Sequence, residues 1–369
     1  MKIVIAGGGT GGHVLPGIAV AEEFKHRNEK AEVIFIGTEH GIESRLIPKE
    51  GYPVRFIPAE GFVGKSPVKK IKSLIKMCSA VFYSRDLLKA IKPDIVIGTG
   101  GYASFVPVGM ACLLGIPTLI MEQNLVPGMA NRVLGRFVDA IAVTYHESIT
   151  FFPISKTRLT GNPIRRKMLS PHLDRKSAYE IFSLKEDMFT VFVSGGSSGS
   201  RSINNAVVNC LNYLFDIKGN VQFLHQTGDA DYESIRNAYR KSGIFAMVTP
   251  FIYQMAEAYS VADLVISRAG ATTLAEITAL GKPAILIPYP YARGHQEFNA
   301  RKLAEAGASR LILEVELRGE VLAQNIKEIY MSEDLRAGMK KQSLAMGMPD
   351  SGEKVVNIAL SLINLKKKS

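Results

Sequence analysis

The run Gly7-Gly8-Gly9-Thr10-Gly11-Gly12-His13 sets a glycine-rich turn directly before a histidine. Glycines let a backbone approach a ligand closely, and the helix after such a turn points free N–H groups at an anion. At the start of that helix the dipole disfavours an imidazolium, so His13 would stay neutral and be available as a general base. A capping or packing histidine is the plain alternative. Ser267 to Glu276 (SRAGATTLAE) follows an apolar run and opens another helix. Its small residues and hydroxyls would cradle phosphate. Glu276, one turn on, could accept from sugar hydroxyls or simply favour a first helical turn. His295, Gln296 and Asn299 lie after the next apolar run; such amides suit sugar hydroxyls and are also common caps.

Other spacings point away from cofactors and metals. Gly7-x-Gly9-x-x-Gly12 matches the dinucleotide fingerprint, which also needs an acid at the end of the second strand. Here that strand ends Ile36-Gly37-Thr38 and Glu39 comes late, so no nicotinamide or flavin is expected. Asp229-Ala230-Asp231 resembles the Asp-x-Asp of some metal-dependent glycosyltransferases, but between Gly228 and a helical pattern it reads as an N-cap with an acidic first turn. No HExxH, GxSxG or Walker A spacing occurs. Neither a metal nor a cofactor is expected.

These residues need a scaffold, and the apolar runs supply it. Lys2–Ala6, Val33–Ile36, Val54–Ile57, Ile95–Ile97, Thr118–Met121 and Ala140–Val143 read as strands, with helical stretches such as Pro16–Arg27 and Ser66–Ile91 between them. Turn-rich Gly161-Asn162-Pro163 breaks the series. It resumes with Thr190–Val193, Val221–Leu224, Ala246–Val248, Leu264–Ile266, Ala284–Ile287 and Arg310–Leu313, and ends in a helix near Gly352–Leu365. Strand–helix alternation predicts an α/β chain of two Rossmann-like domains, each a parallel sheet with helices on both faces. The expected divisions are 1–162, 163–350 and a C-terminal helix, 351–369, packing back on the first domain. Further glycine turns, Gly98-Thr99-Gly100-Gly101 and Gly195-Gly196-Ser197-Ser198-Gly199, also follow strands. Ligands of open α/β sheets sit at the carboxyl ends of the strands, so the expected site is the cleft between the two sheets.

The chain has 369 residues, 47% hydrophobic and 21% charged, which fits two folded domains and excludes a disordered chain. Three scattered cysteines, Cys78, Cys112 and Cys210, argue against a disulfide framework and for a reducing compartment. The N-terminal apolar stretch is too short for a signal-peptide core, so secretion is not expected. Uncharged Ile95 to Met121 is broken by glycines and prolines and reads as strand, loop, helix and strand, not a membrane span.

The net charge is +11 (45 Lys+Arg against 34 Asp+Glu), which suggests an anionic partner. Gly61 to Lys92 holds eight basic residues and one acidic one, supplying +7 of that surplus. Val68, Ile71, Leu74, Ile75, Cys78, Val81 and Phe82 recur there at helical spacing, with Lys65, Lys69, Lys72 and Lys76 opposite or flanking. On these residues alone a surface helix packed on its sheet is preferred to a membrane-surface patch. Nucleic acid is not expected, because apart from Phe62, Phe82 and Tyr83 the cluster lacks interleaved aromatics, and no binding motif occurs.

Seven blocks in register resemble the MurG family, the N-acetylglucosaminyltransferases that form lipid II in bacterial peptidoglycan synthesis. They are GGGTGGHVLPGIAVA from Gly7, GTGGYASFVPVGMA from Gly98, EQNLVPGMANR from Glu122, GNPIR from Gly161, SGGSSGSRSIN from Ser194, SRAGATTLAEITALGKPAILIPYP from Ser267 and HQEFNA from His295. The resemblance implies a GT-B fold and inverting transfer of N-acetylglucosamine from UDP-N-acetylglucosamine to the 4-hydroxyl of undecaprenyl-pyrophosphoryl-N-acetylmuramoyl-pentapeptide, lipid I.

By the same resemblance, His13 is the candidate base and Thr10, Gly11 and Gly12 line the cleft. Asn124 and Gln296 touch the donor sugar, with Asn299 nearby, and Arg165 and Ser197 contact the nucleotide. The backbone of Ile252 reads the uracil edge beside Phe251. Ala271, Thr272, Thr273, Leu274 and Ala275 hold the pyrophosphate, and Glu276 takes the ribose hydroxyls. The family often has Gly-Gly-Ser-Gln-Gly-Ala in the second loop; here Ser198 and Ser200 replace Gln and Ala. A lipid-anchored acceptor implies a peripheral enzyme on the cytoplasmic face of the inner membrane. That turns the reading of the basic helix toward a patch of Lys69, Lys72, Ile75, Lys76 and Phe82 on anionic inner-leaflet lipid. Other cell-wall synthesis proteins are implied partners.

Overall fold

In a computed structural model the chain forms two units, Met1–Arg166 with Met348–Ser369, and Lys167–Gly347. The structure describes residues 1–59, 67–170, 174–291 and 294–368, and only the backbone over 67–78.

The first unit runs β1 (Lys2–Ala6), α1 (Gly11–Arg27), β2 (Glu32–Gly37), α2 (Glu43–Lys49), β3 (Val54–Phe56), α3 (Pro67–Ile91), β4 (Ile95–Gly98), α4 (Tyr102–Leu113), β5 (Thr118–Glu122), α5 (Met129–Leu134), β6 (Ala140–Val143) and β7 (Thr157–Leu159). Among the described residues its strands form one parallel sheet in the order β3-β2-β1-β4-β5-β6-β7. Central strands are continuous apolar runs because helices cover both faces; Ile3, Val4, Ile5 and Ala6 are fully buried. The strand order reverses at β1 and β4, so the glycine turns after these two strands flank the crevice where α/β sheets take ligands.

Three features differ from expectation or add to it. Edge strand β7 did not register as a strand, since two of its three residues are exposed. Uncharged Ile95 to Met121 is β4, α4 and β5. The C-terminal helix (Ser351–Lys368) lies in this unit, where Val355, Val356, Ala359 and Ile363 share a core with Ile18, Ala21 and Phe24 of α1. Among the described residues no helix is long and apolar enough to cross a membrane.

The second unit runs α6 (Arg175–Ile181), β8 (Phe189–Ser194), α7 (Arg201–Leu211), β9 (Val221–Gln226), α8 (Tyr232–Ser242), β10 (Ala246–Thr249), α9 (Met255–Val261), β11 (Leu264–Ser267), α10 (Ala271–Ala279), β12 (Ala284–Leu286), α11 (His295–Glu305), β13 (Ser309–Leu311), α12 (Gly319–Met331) and α13 (Glu333–Met346). Its described strands make a second parallel sheet, β10-β9-β8-β11-β12-β13, with an apolar core on each face. The order reverses at β8 and β11, which sets the loops after Ser194 and Ser267 side by side. Strand β13 starts at Ser309 and ends at Leu311, earlier than the sequence pattern placed it. The chain is thus two Rossmann-like domains, the GT-B class.

Candidate active site

In the first unit the turn after β1 feeds α1, with Thr10 as its extended N-cap residue. The N–H groups of Gly11 and Gly12 belong to the first turn, which has no intrahelical acceptors. Half-buried His13 lies 3.1 Å from the Gly8 carbonyl oxygen and 3.4 Å from Thr10 Oγ1 through Nδ1. Its ring rests on the turn after β4: a Cβ at Gly100 would stand 2.9 Å from His13 Cδ2, and one at Gly101 3.1 Å from Nδ1. Both glycines have positive φ, so this turn suits glycine twice over. The two sequence motifs therefore meet on one imidazole. Burial holds the His13 pKa below the ordinary histidine value; the Gly8 carbonyl and the charges of Glu122 and Glu43 oppose that shift.

Asn124 sits at the end of β5, in a loop organised by buried Glu122. That carboxylate accepts from Asn124 N (3.0 Å), Asn124 Nδ2 (3.3 Å), Gly128 N (3.0 Å) and Asn131 Nδ2 (2.9 Å). Buried Gln123 donates to the Thr99 carbonyl at 2.7 Å and ties this loop to the turn that holds His13. Arg165 also belongs to the first unit, with Nη1 3.5 Å from Glu50 Oε1 and Nε buried without a partner.

In the second unit the loop after β8 carries Ser197, which is exposed. Gly199, at φ +74°, crosses so close to the turn after β9 that an added Cβ would stand 1.9 Å from the Thr227 carbonyl oxygen. Ser200 finds its own role: Arg268 Nη2 donates to Ser200 Oγ and Ser202 Oγ at 2.8 Å each. Arg268 Nη1 also meets Glu314 Oε2 (2.5 Å) and the Ile287 carbonyl (3.1 Å), so one guanidinium joins three loops.

Gly270 is the N-cap residue of α10, and Ala271, Thr272 and Thr273 form its first turn. Thr272 Oγ1 is buried and has no hydrogen-bond partner, which fits a hydroxyl left for a ligand. The Leu274 side chain belongs to the core, and its N–H closes on the Gly270 carbonyl at 2.9 Å. Ala275 is half-buried. Buried Glu276 accepts from the Tyr259 hydroxyl at 3.0 Å. Phe251 is 40% exposed and stacks edge-on against Tyr253 at 4.8 Å. The Ile252 N–H donates to Gln226 Oε1 at 2.8 Å. On α11, Gln296 Oε1 accepts from Tyr289 N at 2.9 Å, Asn299 is fully buried, and His295 Nδ1 is buried without a partner.

Two readings of the sequence change. Asp231 occupies the N-cap position of α8, but its side chain makes no cap. It accepts instead from Asn204 Nδ2 at 2.9 Å and pairs with Arg201 Nε at 3.5 Å. Among the described side chains of α3, Ala80, Ser84 and Leu88 are fully buried, while Val81, Phe82 and Tyr83 face solvent. The side chains of Lys69, Lys72, Ile75 and Lys76 lie outside the described residues. Among the described residues no three His, Cys, Asp or Glu side chains cluster to hold a metal. Sequence reasoning missed Glu43, Gln123 and Asn204 and gave Glu122 no role; carboxylates or amides at strand ends beside glycine turns were the available signal.

Residues 3–143 match the glycosyltransferase family 28 N-terminal domain and residues 190–355 its C-terminal domain. The UDP-N-acetylglucosamine--N-acetylmuramyl-(pentapeptide) pyrophosphoryl-undecaprenol N-acetylglucosamine transferase of Thermodesulfovibrio yellowstonii is 50% identical over 368 residues, covering 100% of both chains. The crystal structure of Acinetobacter baumannii MurG is similar at a TM-score of 0.75 and 28% identity, covering 98% of this chain and 99% of that one. A UDP-GlcNAc 2-epimerase from Neisseria meningitidis, bound to UDP-GlcNAc, shares the fold at a TM-score of 0.68 and 15% identity, covering 98% and 100%. The chain belongs to glycosyltransferase family 28 and, within it, to the MurG family.

Proposed function

We infer that the protein is the N-acetylglucosaminyltransferase that converts lipid I to lipid II, using UDP-N-acetylglucosamine, in peptidoglycan synthesis. The observation that carries this is the 50% identity, across the whole of both chains, to a transferase of that name. The second unit takes the donor. The first-turn N–H groups of α10 and the buried Thr272 hydroxyl receive the pyrophosphate, and Glu276 receives the ribose. Phe251 lies beside the uracil. With the Ile252 N–H engaged by Gln226, the Ile252 carbonyl is the group left for the base edge. Within this unit Gln296 and Asn299 serve the sugar and Ser197 the nucleotide.

The first unit takes the acceptor at Thr10, Gly11, Gly12 and His13. The acceptor 4-hydroxyl oxygen bonds to the anomeric carbon as the bond to UDP breaks, and configuration inverts in that single displacement. The hydroxyl proton passes to His13 Nε2. Helix N-terminal amides meet the charge on the departing UDP where it develops. The lipid-borne acceptor places the enzyme on the inner leaflet, with Phe82 and its exposed neighbours at the interface and Lys69, Lys72, Ile75 and Lys76 beside anionic headgroups. Acceptor-dependent release of UDP tests the reaction: release that needs a lipid I analogue supports it, and turnover of UDP-GlcNAc without acceptor opposes it.

A further inference from the structure

Glu43 is fully buried at the start of α2, and every bond it makes is to a neighbouring turn. Oε1 accepts from Thr38 N at 2.9 Å and Thr38 Oγ1 at 2.7 Å; Oε2 accepts from Gly9 N at 2.8 Å. Three glycines are packed onto it: an added Cβ would stand 2.1 Å from Oε1 at Gly8, 2.0 Å from Oε2 at Gly41 and 2.6 Å from Cγ at Gly37. The chain has given up three side chains to seat this one carboxylate.

The Gly9 N–H and the Gly8 carbonyl belong to the same peptide bond, and that carbonyl lies 3.1 Å from His13 Nδ1. A trans peptide aims its two ends in opposite directions. Glu43, the Gly8–Gly9 peptide and His13 thus form one line of hydrogen bonds. A carbonyl only accepts, so Nδ1 carries the proton in this bond and Nε2 is the basic nitrogen of the neutral ring. A carboxylate on the N–H end polarises the peptide and strengthens its oxygen as an acceptor.

We propose that Glu43 is a positioning residue for His13, acting through the Gly8–Gly9 peptide as a buried aspartate acts directly on histidine in a catalytic triad. The proposal rests on His13 being the base. Among the described residues Glu43 and Glu122 are the charged groups that act on His13, and Glu122 is occupied with the loop from Asn124 to Asn131.

Nitrogen-15 NMR of the histidine-labelled protein reads the tautomer without any reaction. His13 is expected as Nδ1–H with Nε2 unprotonated; an Nε2–H tautomer overturns the proposal. Glu43→Gln keeps the volume but sets an amide against one of the N–H donors. It should mix the tautomers, move the acid limb of kcat/KM to lower pH and cut kcat about 10- to 100-fold, the range typical of groups that orient a functional side chain. KM for UDP-GlcNAc should hold. An unchanged tautomer and acid limb in Glu43→Gln overturns the relay, and if that variant fails to fold the wild-type tautomer still decides. His13→Ala separates the two ideas: an acid limb that persists without His13 refutes the base itself.

Discussion

Tyr259 donates its hydroxyl to Glu276 at 3.0 Å, and both groups are buried in the second unit. The phenol holds the Glu276 carboxylate in place through Oε2. Tyr259→Phe keeps the ring, which packs edge-on against Phe192 at 5.5 Å, and so should spare the fold. Losing one such bond is worth about 1.5–3 kcal/mol for a charged acceptor. We expect KM for UDP-GlcNAc to rise severalfold with kcat little changed as the carboxylate loses its anchor, and Glu276→Ala to raise it further. Steady-state kinetics with varied donor checks this, and an unchanged KM in Glu276→Ala removes the ribose role.

His13→Ala should lower kcat by about 10²–10⁴-fold, the usual contribution of a general base, while UDP binds as before. Because burial lowers the His13 pKa, the wild-type acid limb should lie below the ordinary histidine value of 6.5. Turnover should therefore hold steady from neutral pH through that value and fall only beneath it. Calorimetric UDP binding together with a pH–rate profile measures both.

His225 lies in the core of the second unit, between the Tyr239 hydroxyl and Asn204 Oδ1, each at 3.1 Å. Asn204 spends its amide on the Thr227 carbonyl and Asp231, so its oxygen accepts from His225 Nε2, and Nδ1 accepts from the phenol. That pattern needs a neutral ring, and burial pushes the pKa down to about 3. The unfolded chain binds this proton below pH 6.5 and the folded one does not, so the stability is present above 6.5 and is lost as pH falls toward 3. At pH 5 the loss should be about 2 kcal/mol. Denaturant unfolding of the protein at several pH values would show the slope, and His225→Gln should remove it.

Replacing Lys69, Lys72 and Lys76 with Glu should weaken binding to anionic vesicles by at least about 100-fold, at about 1 kcal/mol per lysine. Activity on a water-soluble acceptor should persist. Phe82→Asp should also weaken vesicle binding, since this ring is 66% exposed and its loss cannot unpack the core. Sedimentation with vesicles measures both, and unchanged binding refutes the patch.

Much of this architecture is legible because parallel strands buried on both faces are written as unbroken apolar runs. The glycine turns are legible for a related reason: His13 needs Gly100 and Gly101 to lack side chains, and the absence shows in the sequence. Edge strand β7 is hidden because Arg158 and Leu159 face solvent and give no run. Glu43 is hidden because its partner Gly9 lies 34 residues away and is a backbone N–H, which no residue type announces. Asp231 misleads for the opposite reason. It stands where a cap should be, and only the fold shows that Asn204 and Arg201 take its carboxylate instead. Ser200, a departure from the family pattern, is explained by the Arg268 guanidinium beside it.

The product formed from UDP-GlcNAc and a lipid I analogue tests the central claim most directly. The account predicts an analogue heavier by one N-acetylhexosamine, joined at the 4-hydroxyl in the β configuration, with one UDP released per transfer. Free N-acetylglucosamine, an epimerised sugar nucleotide or an α-linked product would contradict it.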